Sequence, residues 1–348
     1  FEIKGKALYP QMKILFAMMR EILMESRLDD EKRLKEILAM LKSRLQMSFQ
    51  SSGHTTSALR ALSYGSPLSK FKDDTDGIGF YEVVRDIEEH FEEKKAELIQ
   101  NLKQLSRQIF RVDNVMISYT SSEDGLAPME AAFREIKDTL YPELDGEEIP
   151  CVLHGRKRNE GFKTSSKVQY VARVGNFIDH GAQYHGALQI LKVILSYDYL
   201  WQNVRVKGGA YGCMSNFNRI GEGYLISYRD PNLKKTMEVY EGVVDYLKNF
   251  TVDERDMTKY IIGTISNIDR PMNPAAKGDR SMNLYMNHVS QEMIRTERSQ
   301  ILHAAQEDIR ALAAVVEAML KAEQICVIGS EEKIEEEKEM FLEVKTLF

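Results

Sequence analysis

The sequence has few cysteines and lacks any long apolar run. Its 348 residues include three cysteines, Cys151, Cys213 and Cys326, which are far apart and form no Cys-x-x-Cys pair. An odd, scattered set of thiols is typical of a reducing compartment and excludes a disulfide framework. No apolar run approaches the roughly 20 residues that a membrane-spanning helix needs. We therefore expect a protein of the cytoplasm, or of an organelle matrix in a eukaryote, with no membrane partner.

A basic excess is also absent. Lys and Arg number 47 against 53 Asp and Glu, which leaves a formal net charge of −6. Since phosphate binding requires a basic surface, this balance argues against nucleic acid as the main partner. Hydrophobic residues make up 43% of the chain and charged residues 29%. That composition predicts a globular protein with enough apolar material for two domains of ordinary size.

Metal-binding and nucleophile motifs are a third absence. The seven histidines form neither His-Glu-x-x-His nor His-x-x-Glu-His. His180 and His185 are five residues apart across an expected turn, and His54 lies in the Gly/Ser/Thr-rich segment 51–56, where we expect a break. These settings favour structural histidines over ligands. No Gly-rich phosphate loop or nucleophile turn is found either, so the sequence predicts no metal site in this chain.

What the sequence does contain is a repeated order of elements. Each copy has a strand-like or hairpin segment, a Pro-started helix and an acidic cap before a second helix. In the first copy these are residues 1–8, 10–26 and Asp29 or Asp30; in the second copy the Asp230-Pro231 start and the cap at 251–254 correspond. A short buried strand followed by a helix recurs later in both, at 115–119 and 325–329. This favours a duplicated α+β unit, although strand-helix-helix order is common enough to arise by chance.

The second copy has additional elements in front of it. A strand pattern at 167–174, a helical pattern at 185–199 and a two-strand hairpin precede Asp230. The first copy has no counterpart, and the sequence starts with Phe1 in place of Met. We therefore expect a fragment, a processed form or a shortened chain, with the first domain incomplete at its N-terminus. The predicted organisation is a partial domain at 1–142, an exposed linker at 143–165 and a complete domain at 166–348.

The segment Leu200–Gly212 is the strongest candidate for chemistry. Arg205 offers a forked set of donors that suits a peptide carbonyl or a carboxylate. Gly208 and Gly209 allow positive φ and close approach of another chain, and the hydroxyl of Tyr211 can donate to a developing oxyanion. The alternative is structural: a hairpin turn, an arginine in a surface ion pair and a packed tyrosine. The residues alone leave both interpretations open.

The motif Leu-Trp-x-x-Val-Arg-x-x-Gly-Gly-Ala-Tyr-Gly at 200–212, followed by Ser227–Asn232, resembles the last domain of presequence proteases. These belong to the insulinase/pitrilysin class of zinc metallopeptidases, and residues 50–61 resemble the third domain of the same family. The resemblance implies four homologous α+β domains, arranged as two halves that close around unfolded peptides. This chain would be the C-terminal half, with two homologous insulinase/processing-peptidase-like domains of class α+β, each an antiparallel-rich sheet with helices packed on it.

The resemblance also implies roles for individual residues. Arg205, with Gly208, Gly209 and Ala210, would bind substrate, and Tyr211 would stabilise the tetrahedral oxyanion. Zinc and the catalytic base would belong to the missing N-terminal half, the expected partner of this chain, so the chain alone should be inactive. The alternative is a non-catalytic peptide-binding or scaffold module of the same fold. A His-x-x-Glu-His motif in the preceding part of the gene would separate the two hypotheses.

Overall fold

The computed structural model describes residues 1–143 and 152–348. By backbone contacts it divides into two compact units, which are described separately below. Unit 1 comprises Phe1–Leu41, Val84–Pro150 and Pro271–Val289, and unit 2 comprises Lys42–Val83, Cys151–Arg270 and Ser290–Phe348. Each unit is therefore assembled from segments that are distant in sequence.

The described residues are mostly helical, with one six-stranded sheet. Their α-helices are α1 (Met12–Met24), α2 (Glu31–Leu62), α3 (Pro67–Asp76), α4 (Ile78–Glu89), α5 (Phe91–Ile109), α6 (Leu126–Lys137), α7 (Ala187–Tyr197), α8 (Lys234–Glu241), α9 (Val243–Lys248), α10 (Glu254–Ile268), α11 (Pro274–Met286), α12 (Gln291–Leu302), α13 (Gln306–Leu320) and α14 (Glu331–Glu336). The strands are β1 (Glu160–Thr164), β2 (Tyr170–Asn176), β3 (Gly212–Phe217), β4 (Glu222–Tyr228), β5 (Gln324–Ser330) and β6 (Glu343–Thr346). A π-helix spans Trp201–Val206. None of the helices in the described residues has the length and apolar composition needed to cross a membrane.

In unit 1 a small apolar core forms between α1 and α6. Met12 and Phe16 of α1 pack with Met129, Ala132 and Ile136 of α6. All five side chains are buried, and their spacing places them on one face of each helix. For α1 this is the apolar period that the sequence indicated, and the helix predicted there is confirmed.

Two strand predictions in unit 1 are wrong. Residues 1–8 and 115–119 have no strand structure, and Val115, Met116 and Ile117 are each more than a third exposed. A β-strand is held by hydrogen bonds to a neighbouring strand, and no other strand lies beside either segment in the described part of unit 1. Apolar alternation alone therefore does not form a strand here. The expected duplication is matched in unit 1 by its helices only.

Unit 2 is built on a sheet with strand order β3-β4-β2-β5-β1-β6. The pairs β3–β4, β4–β2 and β2–β5 are antiparallel, while β5–β1 and β1–β6 are parallel. The expected α+β class with an antiparallel-rich sheet is confirmed. β1 begins at Glu160, so the end of the segment 143–165 is sheet and not exposed linker, and residues 144–151 of that segment lie outside the described residues. The predicted domains, 1–142 and 166–348, stay predictions.

Helices cover both faces of this sheet. On one face Val171 of β2 joins a core with side chains of α7 and α13. On the other face its neighbours Tyr170 and Ala172 join a core with Ala58 and Ala61 of α2. Successive side chains of a strand point to opposite faces, so a strand that is covered on both sides is apolar at almost every position. This explains the continuous apolar run that predicted β5.

Three helix starts test the predicted caps. The carboxylates of Asp30 and Asp253 each accept a hydrogen bond from a backbone N–H three residues further on, at 3.0 Å and 2.8 Å. Both predicted caps are therefore confirmed. The helix start predicted at Asp230-Pro231 is wrong, because α8 begins at Lys234. The carboxylate of Asp230 is instead used inside the turn that precedes α8.

Candidate functional site

Arg205 lies on a π-helical turn shortly after α7. In the π-helix Trp201–Val206 the backbone pairs at five-residue spacing, and the Lys207 N–H donates to the Gln202 carbonyl (3.0 Å). Such turns are rare and are often found at functional sites. The guanidinium carbon of Arg205 lies 3.9 Å from the centroid of the Trp201 ring, four residues earlier. This cation–π contact fixes the direction of the arginine side chain.

The donor groups of Arg205 are not used within the described residues. No carboxylate in that part of the chain lies within ion-pair distance of its guanidinium, and the side chain is half-buried. The surface ion pair that the sequence left open for this residue is therefore not formed there. An arginine stacked by its face on an aromatic ring keeps its edge N–H groups available for hydrogen bonds to a ligand.

The chain reverses at Gly208 and Gly209. Gly209 has a φ of +83°, in the left-handed region that favours glycine. At Gly208 a Cβ would lie 2.5 Å from the carbonyl oxygen of Val204, so a side chain there would collide with the preceding helical turn. The Gly209 N–H donates to the carbonyl of Arg205 (2.8 Å), which closes the turn. The predicted sharp turn between a helix end and a strand is confirmed.

Tyr211 follows the turn, next to the start of β3. Its backbone N–H donates to the carbonyl of Tyr228 (3.0 Å), and its side chain is 68% exposed, whereas that of Ala210 is buried. The Tyr211 and Tyr228 rings meet edge to face, with their centroids 5.8 Å apart. No described residue hydrogen-bonds to the Tyr211 hydroxyl. The turn therefore carries an accessible phenol six residues after Arg205.

The segment Ser227–Asn232 braces this turn from the end of the hairpin. The side-chain amide of Asn232 donates to the Gly208 carbonyl (2.6 Å). The Asp230 carboxylate accepts from the Asn232 backbone N–H (2.9 Å) and from the Thr236 hydroxyl (2.7 Å). Burial raises the pKa of Asp230, and these hydrogen bonds oppose that rise. Because Asp230 is fully buried, it supports the turn and does not reach a ligand.

Two contributions to this region were missed from the sequence. Asn232 and Tyr228 were noted only as part of a resemblance, and His54 was interpreted as structural. For Asn232 there was a signal, because Asp-Pro-Asn after a strand is typical of a turn in which side chains bond to nearby backbone. Nothing in the sequence indicates that residue 54 lies near residue 228, since only the fold brings α2 and β4 together.

The described residues form no metal site. Nowhere among them do three or more His, Cys, Asp or Glu side chains come close enough to hold an ion. A cavity of about 190 Å³ lies at the other end of β2 and β4, where its lining includes Asn176, His180 and Glu222. It contains no residue of the Arg205–Tyr211 turn. The candidate site is thus a surface turn with directed polar groups.

Two family models match the chain. One, described as the PreP C-terminal domain, matches residues 159–331. The other, described as a peptidase-associated domain of insulinase subfamily C, matches residues 1–87. Together they cover most of the sequence. The chain belongs to the presequence-protease group of the insulinase family. It corresponds to the C-terminal half of a peptidase of this family, as the sequence predicted, and the Arg205–Tyr211 turn lies within the first match.

Relatives from this family align along nearly the whole chain. Protein HypA of Clostridium perfringens is 38% identical over 347 residues, which are 99% of this chain and 35% of the relative. Presequence protease 1, chloroplastic/mitochondrial, of Arabidopsis thaliana is 27% identical over 347 residues, which are 99% of this chain and 32% of the relative. The chain thus spans about a third of the length of these curated relatives.

Solved structures share the insulinase-type fold. Pitrilysin gives a TM-score of 0.56 over 91% of this chain and 33% of its own, at 10% identity. A conserved protein from Enterococcus faecalis gives a TM-score of 0.53 over 86% of this chain and 68% of its own, at 16% identity. At these identities the likeness concerns the fold alone. The fold class expected from the sequence is confirmed.

Proposed function

We propose that this chain is the substrate-binding half of a zinc-dependent peptidase that degrades unfolded peptides in a closed chamber. The observation that carries the proposal is Arg205, whose guanidinium is stacked on Trp201 and has no carboxylate partner among the described residues. It lies across one tight turn from the exposed Tyr211, on backbone braced by Asn232. Such a preorganised pair of donors suits a peptide carbonyl, which gains negative charge when it is attacked.

In the proposed complex Arg205 holds the substrate main chain. A guanidinium presents several N–H donors in one plane, which match a peptide carbonyl or a terminal carboxylate. Gly208 and Gly209 carry no side chains, and Gly209 is exposed, so an extended peptide can approach the backbone of the turn closely. Ala210 is buried beneath the turn and limits the site to its outer surface.

Tyr211 donates its O–H to the oxygen of the tetrahedral intermediate. The carbonyl oxygen accepts a stronger hydrogen bond as its charge develops, so this contact stabilises the transition state more than the bound peptide. The ring is mostly exposed and its hydroxyl has no partner among the described residues. The hydroxyl is therefore available to a peptide that Arg205 holds.

Zinc belongs, in this proposal, to a second half that completes the enzyme. The described residues offer no group of ligands that fits the ion, so the residues of this chain do not hold it. Their contribution is to bind the peptide and to stabilise developing charge. The preference for unfolded peptides, and a location in the cytoplasm or an organelle matrix, belong to the same proposal.

Substitution of the two residues in the intact enzyme tests these roles. We expect Arg205→Ala and Tyr211→Phe each to lower peptide turnover by about 10²-fold or more, as for other lost oxyanion or positioning contacts. Tyr211→Phe keeps the ring and removes only the O–H, so its loss should fall on kcat, whereas Arg205→Ala should also raise KM. Steady-state hydrolysis of a fluorogenic unfolded peptide measures both constants.

Matched controls are Tyr197→Phe and Arg295→Ala, which change exposed residues of the same types in unit 2. Both variants should hydrolyse the peptide at the wild-type rate. Near-normal turnover of both Arg205→Ala and Tyr211→Phe, in folded protein, would refute the assigned roles. That result would favour a non-catalytic peptide-binding module.

A further inference from the structure

Tyr228 is the centre of a cluster of rings in unit 2, next to the proposed site. Its ring meets that of Tyr211 edge to face, with centroids 5.8 Å apart. On its other contacts it meets His54 edge to face at 4.8 Å and Tyr170 at 5.6 Å. We call Tyr211, Tyr228, His54 and Tyr170 the aromatic clamp. The guanidinium of Arg229 lies 5.4 Å from the centre of the Tyr228 ring, which adds a cation–π contact.

His54 reaches the aromatic clamp because α2 is kinked. Ser52 has φ −127° and ψ 30° within α2, so the predicted break is a kink inside a helix and not a loop. At Gly53 a Cβ would lie 2.2 Å from the Tyr170 ring, so the absence of a side chain lets the ring pack against the helix. The Tyr170 hydroxyl also donates to the carbonyl of Gln50. Helix and sheet are thus fitted to each other where His54 is presented.

The ring of His54 is held without a polar partner. Its Nδ1 is enclosed and has no hydrogen-bond partner among the described residues. Burial lowers the pKa of this imidazole, which keeps the ring neutral. The charged group nearest in sequence to its ring partner Tyr228 is the cation Arg229, which gives a protonated imidazole no compensation. His54 therefore acts as a flat packing surface for Tyr228.

We propose that Tyr228, supported by His54, is a positioning residue for Tyr211. The inference rests on the proposed function, in which the Tyr211 hydroxyl meets the substrate. Tyr211 is mostly exposed, and within the described residues its ring contacts only that of Tyr228. An edge-to-face contact restricts a side chain that would otherwise sample several rotamers in water. Tyr228 therefore acts on turnover through Tyr211, without touching the substrate.

A double-mutant cycle in the intact enzyme tests this inference. We expect Tyr228→Ala to lower kcat on the order of tenfold, the size of a lost aromatic contact, with KM nearly unchanged. Tyr228→Phe keeps the ring and should remain close to the wild type. In a Tyr211→Phe background no hydroxyl is left to position, so Tyr228→Ala should cause no further loss of kcat. His54→Ala should give a smaller loss, which also disappears in that background.

The control for general loss of packing is Tyr246→Ala. Tyr246 is also a half-buried tyrosine of unit 2, and its ring contacts are with Tyr199 (4.7 Å) and Phe250 (5.8 Å). This variant should melt at a lower temperature and keep the wild-type kcat. A parallel loss of kcat in Tyr246→Ala would mean that kcat follows stability, and it would overturn the inference.

The cycle separates the two proposals. If Tyr228→Ala lowers kcat equally with and without the Tyr211 hydroxyl, the positioning role is overturned while the proposed function stands. If Tyr211→Phe alone has wild-type turnover, the proposed function fails and the positioning role fails with it. If Tyr228→Ala does not fold, His54→Ala carries the same cycle, and additivity with Tyr211→Phe overturns the inference.

Discussion

Arg205 is stacked on Trp201, the only tryptophan in the sequence, so a single fluorophore reports on the proposed binding residue. In Arg205→Ala one face of the indole loses its cover, and we expect the emission to shift to longer wavelength. A peptide that binds Arg205 should change the emission of the wild type and not that of Arg205→Ala. Titration of the purified chain with an unfolded peptide, followed at the tryptophan emission, measures both effects.

Two further variants control for charge and for surface substitution. Arg205→Lys keeps the charge but loses the planar fork, so its response to peptide should be weaker than that of the wild type. Arg295→Ala changes an exposed arginine elsewhere in unit 2 and should respond as the wild type does. If a dye-labelled peptide binds by anisotropy while the Trp201 emission stays constant, the peptide binds elsewhere on the chain.

Residues of the turn could be predicted from the sequence, and the residues that hold the turn could not. Arg205, Gly209 and Tyr211 lie within one short motif, so their chemistry and spacing are visible together. Asn232 reaches the Gly208 carbonyl from 24 residues away. His54 joins Tyr228 from a different helix. Such contacts arise from the fold, and no local pattern or period contains them. The roles of Arg205 and Tyr211 themselves stay predictions.

At the scale of elements, α2, α3 and β1 are joined by a buried ionic network centred on Arg60. Its guanidinium donates to Glu160 at 2.6 Å and 3.0 Å and to Asp73 at 2.6 Å. Lys345 of β6 adds a contact of 2.9 Å to Glu160. The side chains of Arg60, Asp73 and Glu160 are almost fully buried. The network favours this arrangement of the elements, because a displaced element would leave a buried charge unpaired.

Glu160→Gln should destabilise unit 2 by about 3–5 kcal/mol, because Arg60 keeps its buried charge and loses an anionic partner. Burial raises the pKa of Glu160, but hydrogen bonds and charge attraction from Arg60 and Lys345 outweigh this and lower the pKa to about 2. The resulting stability is complete above pH 4.5, the ordinary pKa, and is lost as the pH falls toward 2. The free energy of unfolding, measured with denaturant across this range, should fall more steeply for the wild type than for Glu160→Gln.

A matched control for this prediction is Glu335→Gln. Glu335 pairs with Lys163 of β1 at 2.9 Å, but the pair is exposed to solvent. Water screens such a pair, so its loss should change the free energy of unfolding little. Equal losses in Glu160→Gln and Glu335→Gln, or the same pH dependence in Glu160→Gln and the wild type, would contradict the role given to the network.

Helices were predicted more accurately than strands, for a physical reason. The period and caps of α1 and α10 are local, so the sequence shows them directly. The runs at 115–119 and 325–329 are both short and apolar, yet only the second is a strand. β5 pairs with β1 and β2, whereas the run in unit 1 has no neighbouring strand among the described residues. Pairing is non-local, so the sequence of a run does not decide it.

At the scale of the whole molecule, the chain corresponds to about a third of its curated relatives, and the site on it is one-sided. Arg205 and Tyr211 supply hydrogen-bond donors and positive charge, but neither supplies a nucleophile or a base. The described residues add no cluster of metal ligands to them. A site of this kind binds a peptide and stabilises charge only when a second surface brings the reacting groups. Closure of the two halves would then control turnover.

The purified chain should therefore bind unfolded peptides without cleaving them. We expect no chelator-sensitive hydrolysis and no stoichiometric zinc by metal analysis, because the described residues offer the ion no ligand cluster. The full-length protein should hydrolyse the same peptide and lose this activity on chelation. Arg205→Ala should weaken peptide binding by the purified chain as well as turnover by the full-length protein, since both depend on one contact. Robust chelator-sensitive cleavage by the purified chain would show that the chemistry is not divided between two halves.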